Sequence, residues 1–188
     1  MTPKSRDFQS LLRLIRNISR DRIPRNGLPD EVLVHEISGS PLVYSHWMSV
    51  ILLTCSDLKI TFKTHFKTRN AQLLAAPLFN LPSDRISTAQ ALDCMREYGN
   101  LTAGGVKHAL LRNRELVLSL PILTRGFDEI FYADARPANT VYDRWRLAFR
   151  ETEFICTVEI EASEEVDVAG WDAEDHPESE NAMEIEYL

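Results

Sequence analysis

The chain has 188 residues, is 44% hydrophobic and carries a formal net charge of −7, a composition that suits one globular domain with one substantial core. No apolar run approaches the roughly 18 residues of a membrane span, and no apolar stretch follows the charges of MTPKSRDFQS as a secretory leader would require. Cys55, Cys94 and Cys156 are scattered and odd in number, which argues against a disulfide framework and for a reducing cytoplasm; with no long apolar run, no membrane partner is expected. The charge is uneven: residues 161–188 hold eleven Asp or Glu and no Lys or Arg, so residues 1–160 carry 17 acids against 21 bases. Such a tail reads as a solvated end, or as cover for a basic surface. The basic N-terminal segment (Lys4, Arg6, Arg13, Arg16, Arg20, Arg22 and Arg25) is a candidate for that surface. No nucleic-acid motif accompanies these residues, so no nucleic-acid partner is expected.

In chain order, Phe8, Leu11, Leu12, Ile15 and Ile18 recur at helical spacing and predict an amphipathic helix over 7–20. Pro24, Gly27 and Pro29 then break regular structure. Residues 31–37 read as a strand, as do 41–54 and 58–66, the last two joined by a turn at Ser56 and Asp57. A short helix is expected over 70–78, followed by the connector FNLPSDRI. Ser87 with Gln90 three residues on is a capping box, and the helix it opens should run to about Arg112. Strands are predicted over 115–120, stopped by Pro121, and over 127–132; ADARPANT is a loop. Trp145, Leu147 and Phe149 alternate with polar residues, as do Phe154, Cys156, Val158 and Ile160, which predicts a hairpin turning at 151–153. From 162 onward no structure is assigned, with Trp171 alone hinting at packing. Each half thus reads as a helix followed by several strands, one half starting near Phe8 and the other near Ser87.

The helix from Ser87 is the informative one. On a wheel of about 100° per residue, Ala91, Leu92, Cys94, Met95, Tyr98, Thr102, Val106, Ala109 and Leu110 share the face that should pack on the sheet. Gln90, Asp93, Arg96, Glu97, Asn100, Gly104 and Lys107 share the other, and Asp93, Glu97, Asn100 and Gly104 form one line along it. Glycines inside a helix cost about 1 kcal/mol each relative to alanine, so Gly99, Gly104 and Gly105 need a reason. Gly99 and Gly105 lie toward the buried side, where a neighbour can come close. Gly104 lies beside Asn100, where another molecule's backbone could approach.

The stretch DCMREYGNLTAGGVKHAL, followed after a strand by LVLSLP, resembles the signature of the CheC/CheX chemotaxis phosphatases. Asp93, Glu97, Asn100 and Pro121 occupy the family's Asp/Ser, Glu, Asn and Pro positions; the Ala103–Gly105 run and PILTRG are also familial. A bare Glu-x-x-Asn is weak, and Glu178 with Asn181 makes a second one without helical context. The weight comes from its place on the solvent line of a long capped helix.

The resemblance implies an α+β fold over about residues 5–161, with two pseudo-repeats of a helix plus antiparallel strands forming a sheet covered by helices. Residues 162–188 stand apart as an acidic tail. It further implies a phosphatase acting on a phosphorylated CheY-like response regulator. Asn100 would enter the partner's active site and orient the attacking water, and Glu97 would pair with the partner's lysine. Asp93, Gly104 and Lys107 would line the contact. Mg²⁺ is expected on the partner, with no cofactor or metal of the chain's own; His35, His46, His65, His108 and His176 lack zinc-site spacing. The first helix has Asn17 but Leu14 where the Glu would stand, so one active helix is expected, as in CheX, and a homodimer paired through sheet edges. Two other readings use the same fold: a module that binds a response regulator without hydrolysis, and an adaptor of the flagellar switch.

Overall fold

The computed structural model describes residues 8–23, 32–37, 46–110, 115–126 and 140–163. The first helix, α1 (Gln9–Asp21), is followed by β1 (Leu33–Glu36), β2 (His46–Thr54) and β3 (Leu58–Phe66). Then come α2 (Thr68–Phe79), a 3-10 turn at Ser83–Arg85, and α3 (Thr88–Leu110). Four further strands complete the described chain: β4 (Val117–Leu118), β5 (Ile122–Gly126), β6 (Thr140–Phe149) and β7 (Thr152–Ala162). The fold is α+β, with an antiparallel sheet ordered β1-β6-β7-β3-β2-β4 and β5 also paired to β2.

The pseudo-repeat is visible in the topology. His46 and Thr140 open the equivalent strands β2 and β6, and Leu58 and Thr152 open β3 and β7, each pair 94 residues apart. The hairpins β2–β3 and β6–β7 meet back to back along β3 and β7, where Ile60 faces Ile160 and Phe62 faces Val158. The helices repeat too, at a spacing of 83 residues. Phe8, Leu11, Leu12, Ile15, Ser19 and Ile23 are buried around α1. The residues 83 further on (Ala91, Cys94, Met95, Tyr98, Thr102 and Val106) are buried along α3.

Alternation in β3, β6 and β7 turns Ile60, Phe62, Trp145, Leu147, Phe154, Cys156, Val158 and Ile160 toward the helices, all essentially without exposure. Polar atoms in this core are tied to one another. The Trp145 indole N–H donates to Ser19 Oγ at 3.1 Å, and the Tyr98 hydroxyl donates to the Ser19 carbonyl at 3.0 Å. These bonds fasten α1 to both α3 and β6. Burial pushes the Cys156 thiol up to about 12, so it stays protonated inside the core.

Two expectations need correction, the strand over 115–120 and the turn at 151–153. The predicted strand over 115–120 is only Val117–Leu118, and a strand not predicted follows at Ile122–Gly126. Both pair with β2, and residues 119–121 stand opposite Ile51 and Leu52 alone, a bulge. Pro121 has no N–H to give the ladder. Across the gap the Leu52 N–H donates to Ser119 Oγ at 3.0 Å, and the Ser119 N–H to the Leu52 carbonyl at 2.9 Å. The β6–β7 turn is shorter than the sequence suggested: Thr152 already pairs with Phe149, and Arg150 takes the left-handed φ of 50°. The strand expected over 127–132, residues 41–45 and the tail from 164 onward lie outside the described residues.

Candidate functional site

The capping box at the head of α3 is formed. The Gln90 N–H donates to Ser87 Oγ at 3.2 Å, and the Ser87 N–H donates back to Gln90 Oε1 at 3.0 Å. This fixes where the helix starts, and so which residues of the next turns face the sheet. Ala91, Cys94, Met95, Tyr98, Gly99, Thr102, Ala103, Val106 and Leu110 are buried. Asp93, Arg96 and Asn100 are exposed, while Glu97, Gly104 and Lys107 are half-buried. The line inferred from the helical wheel is therefore the solvent face of α3.

Glu97 and Asn100 are brought together on that face: the Asn100 Nδ2–H₂ donates to Glu97 Oε2 at 3.4 Å. A contact this long is weak and readily exchanged for a better partner. Below the pair, Gly99 faces β2, where a Cβ would stand 3.3 Å from Ser49 Oγ. The helix thus sits close on the sheet directly beneath its polar line. Behind it, Cys94 is pushed up to about 12, first by burial and then by the Glu97 charge, so its thiol is no nucleophile at neutral pH.

Asp93 does not join this pair. Its carboxylate accepts from the Arg96 guanidinium three residues on, in an ion pair along the helix surface. Lys107 stands in the last turn, beyond Gly104, around which there is open space on the outside. Gly105 does the opposite: a Cβ there would lie 2.8 Å from Ile18 Cγ2 and 3.3 Å from Arg22 Nε, so α1 crosses α3 at this point. Sequence reasoning assigned no role to Arg96 or Ser49. The Asp-x-x-Arg spacing was available as a signal for Arg96; nothing local marks Ser49, which is found only through the sheet register.

The chemistry open to this face is limited. It offers the carboxylates of Asp93 and Glu97, the Asn100 carboxamide, the Arg96 guanidinium and the Lys107 ammonium. Among the described residues no group of three His, Cys, Asp or Glu is placed to hold a metal ion.

No family model matches the sequence, and no curated protein matches it. Solved structures do match in fold. A CheC-like superfamily protein from Shewanella sp. PV-4 superposes with a TM-score of 0.62 at 13% identity, over 85% of this chain and 100% of that one. The fold is that of the CheC-like and CheX proteins. CheX from Borrelia burgdorferi, solved in complex with CheY, BeF3 and Mg²⁺, shares this CheX-like fold with a TM-score of 0.54 at 15% identity, over 86% and 98% of the two chains. FliY from Thermotoga maritima also matches, with a TM-score of 0.54 at 8% identity, over 91% and 96%. Within the CheX-like fold, no described helix of this chain is long and apolar enough to cross a membrane.

Proposed function

We propose that this chain is a phosphatase for the aspartyl phosphate of a CheY-like response regulator, with Asn100 as the catalytic group. The observation that carries the reading is the Glu97–Asn100 pair, hydrogen-bonded on the solvent face of α3 in a CheX-like fold. The CheX of similar fold was captured with CheY, BeF3 and Mg²⁺, and BeF3 on a carboxylate stands in for a phosphoryl group. An acyl phosphate is already activated. Its hydrolysis needs a water in line with phosphorus: the water oxygen bonds to phosphorus, the bond from phosphorus to the carboxylate oxygen breaks, and the carboxylate leaves.

A carboxamide suits that task because it accepts a hydrogen bond from water without adding negative charge beside phosphate. With its amide nitrogen turned to Glu97, Asn100 has its carbonyl oxygen left to receive the water. Glu97 meets a cationic group of the partner and fixes the docking. Mg²⁺ belongs to the partner. The working domain is residues 1–161, extended by Ala162, which pairs with Leu58, and by Ser163, whose N–H donates to the Asp57 carbonyl; the acidic tail beyond is separable, so a chain ending at Ser163 should keep its turnover. The expected setting is cytoplasmic.

The test is phosphate release from a phosphorylated receiver with Mg²⁺. Wild type should accelerate it and Glu97→Ala should weaken docking of the receiver. If Glu97→Ala left both affinity and rate unchanged, the docking role of Glu97 would be wrong. A homodimer through the sheet edge is part of the same reading, supported by exposed Val117, Leu120 and Ile122 along β4 and β5. Sedimentation showing a monomer at micromolar concentration would remove it. A second reading, a non-hydrolysing adaptor of the flagellar switch, is favoured by the FliY match; it predicts receiver binding without release of phosphate.

A further inference from the structure

We propose that Arg96, held on the Asn100 face by Asp93, selects the partner by reading a carboxylate-rich surface around its phosphorylated side chain. This rests on the phosphatase reading and adds a specificity residue to it. Arg96 lies one turn before Asn100, about 6 Å along the helix axis. Its side chain is 47% exposed, and its guanidinium is paired with Asp93, itself 67% exposed. An exposed pair of this kind contributes little to stability. What it does is restrict a long side chain that would otherwise sweep widely, and keep its charge beside Asn100.

The geometry of the helix gives the face a polarity. Viewed down α3 at about 100° per residue, Glu97 and Arg96 lie on opposite flanks of Asn100, and Lys107 shares the flank of Arg96. The face therefore presents an anion on one side of the carboxamide and cations on the other. A phospho-aspartyl site that holds Mg²⁺ supplies one or two carboxylates beside the phosphoryl oxygens, and so carries an acidic rim. The Arg96 flank fits that rim, and the Glu97 flank fits a cation on the opposite side. Only one docking orientation satisfies both. On docking, Arg96 exchanges the Asp93 carboxylate for one of the partner's, an equivalent charge-assisted contact. Asp93, expected from the sequence to touch the partner, is in this account a positioning residue for Arg96.

The experiment measures phosphate release from a phosphorylated receiver at several ionic strengths, together with binding to the same receiver loaded with BeF3 and Mg²⁺. Arg96→Ala should raise KM about five-fold, leave kcat within about two-fold, and flatten the salt dependence, as loss of a rim charge does. Arg96→Lys should restore part of the salt dependence. Asp93→Asn should have no effect on KM once Arg96 is already alanine. An Arg96→Ala protein with wild-type KM and salt dependence, beside an inactive Asn100→Ala protein, would overturn the selection role and leave the phosphatase reading standing. Asp93→Asn raising KM equally with and without Arg96 would overturn the tether. If Asn100→Ala were fully active, the phosphatase reading would fall by itself; Arg96→Ala binding the BeF3-loaded receiver as tightly as wild type would then dismiss Arg96 too.

Discussion

Helices α1 and α3 hold equivalent places in the two halves, and the structure has specialised only one of them. Six buried positions match at a spacing of 83 residues, from Phe8 and Ala91 to Ile23 and Val106. The positions between them diverge. Where α3 has half-buried Glu97, α1 has Leu14, only 5% exposed. Where α3 has Gly99 resting on Ser49 of β2, α1 has Arg16 donating to Asp143 of β6 at 2.5 Å and to Glu36 of β1. Burial opposes the Arg16 charge, but Asp143 and Glu36 more than offset it, and its pKa is raised. The same frame thus gives one helix that locks the sheet through the two ion pairs of Arg16 and buries its site position. The other lies close to the sheet on small residues and turns a carboxylate and a carboxamide outward.

That contrast can be broken by writing the motif onto the wrong helix. Leu14→Glu creates Glu-x-x-Asn with Asn17, but places a carboxylate at a buried position without a partner. It should cost about 3 kcal/mol or more in chemical denaturation, and should not restore phosphate release to an Asn100→Ala protein. Restored turnover would mean that α1 retains a competent site. Next in size is Gly105→Ala, whose Cβ meets Ile18 and Arg22 of the other half; about 1–3 kcal/mol of stability should be lost as α1 is pushed away.

The alkaline response sharpens the comparison further, because Cys94 stands where α1 has Leu11. Cys94 and Cys156 are both pushed to about 12 from an ordinary 9.0. A raised acid favours the folded state fully below its unfolded value, and that contribution is lost as pH climbs from 9 toward 12. Urea midpoints should therefore fall above pH 9, by of order 1 kcal/mol in stability near pH 10. A flat profile would contradict the burial of both thiols. The smallest effect belongs to Gly104→Ala. With open space at that Cβ, the helix should gain up to about 1 kcal/mol, while receiver affinity falls because the approach to Asn100 narrows.

Much of this is legible in the sequence. The 3.6-residue pattern of 7–20 and 87–112, the capping box and the alternation of 145–149 and 154–160 are local signals, and each produced the element expected. So did the solvent line of α3, because a capped helix fixes its own rotation once its apolar face is known. What escaped was set by distant pairing. Ile122–Gly126 forms a strand because β2 is there to pair with it, across a bulge where Ser119 Oγ accepts from the Leu52 N–H. Read alone, Pro121 is a terminator. The Asp93–Arg96 bridge was legible as spacing but not as a competitor for Asp93, since only side-chain placement shows which neighbour the carboxylate takes.

The central claim is that α3, through Asn100, hydrolyses a partner's aspartyl phosphate. The decisive measurement is the lifetime of that phosphate on a receiver with Mg²⁺ at saturating protein, for wild type and for Asn100→Ala. The account predicts a lifetime shortened by wild type, and about a hundred-fold or greater loss of that acceleration in the variant with its fold intact. Equal acceleration by both proteins, or by neither across a panel of receivers, would contradict it.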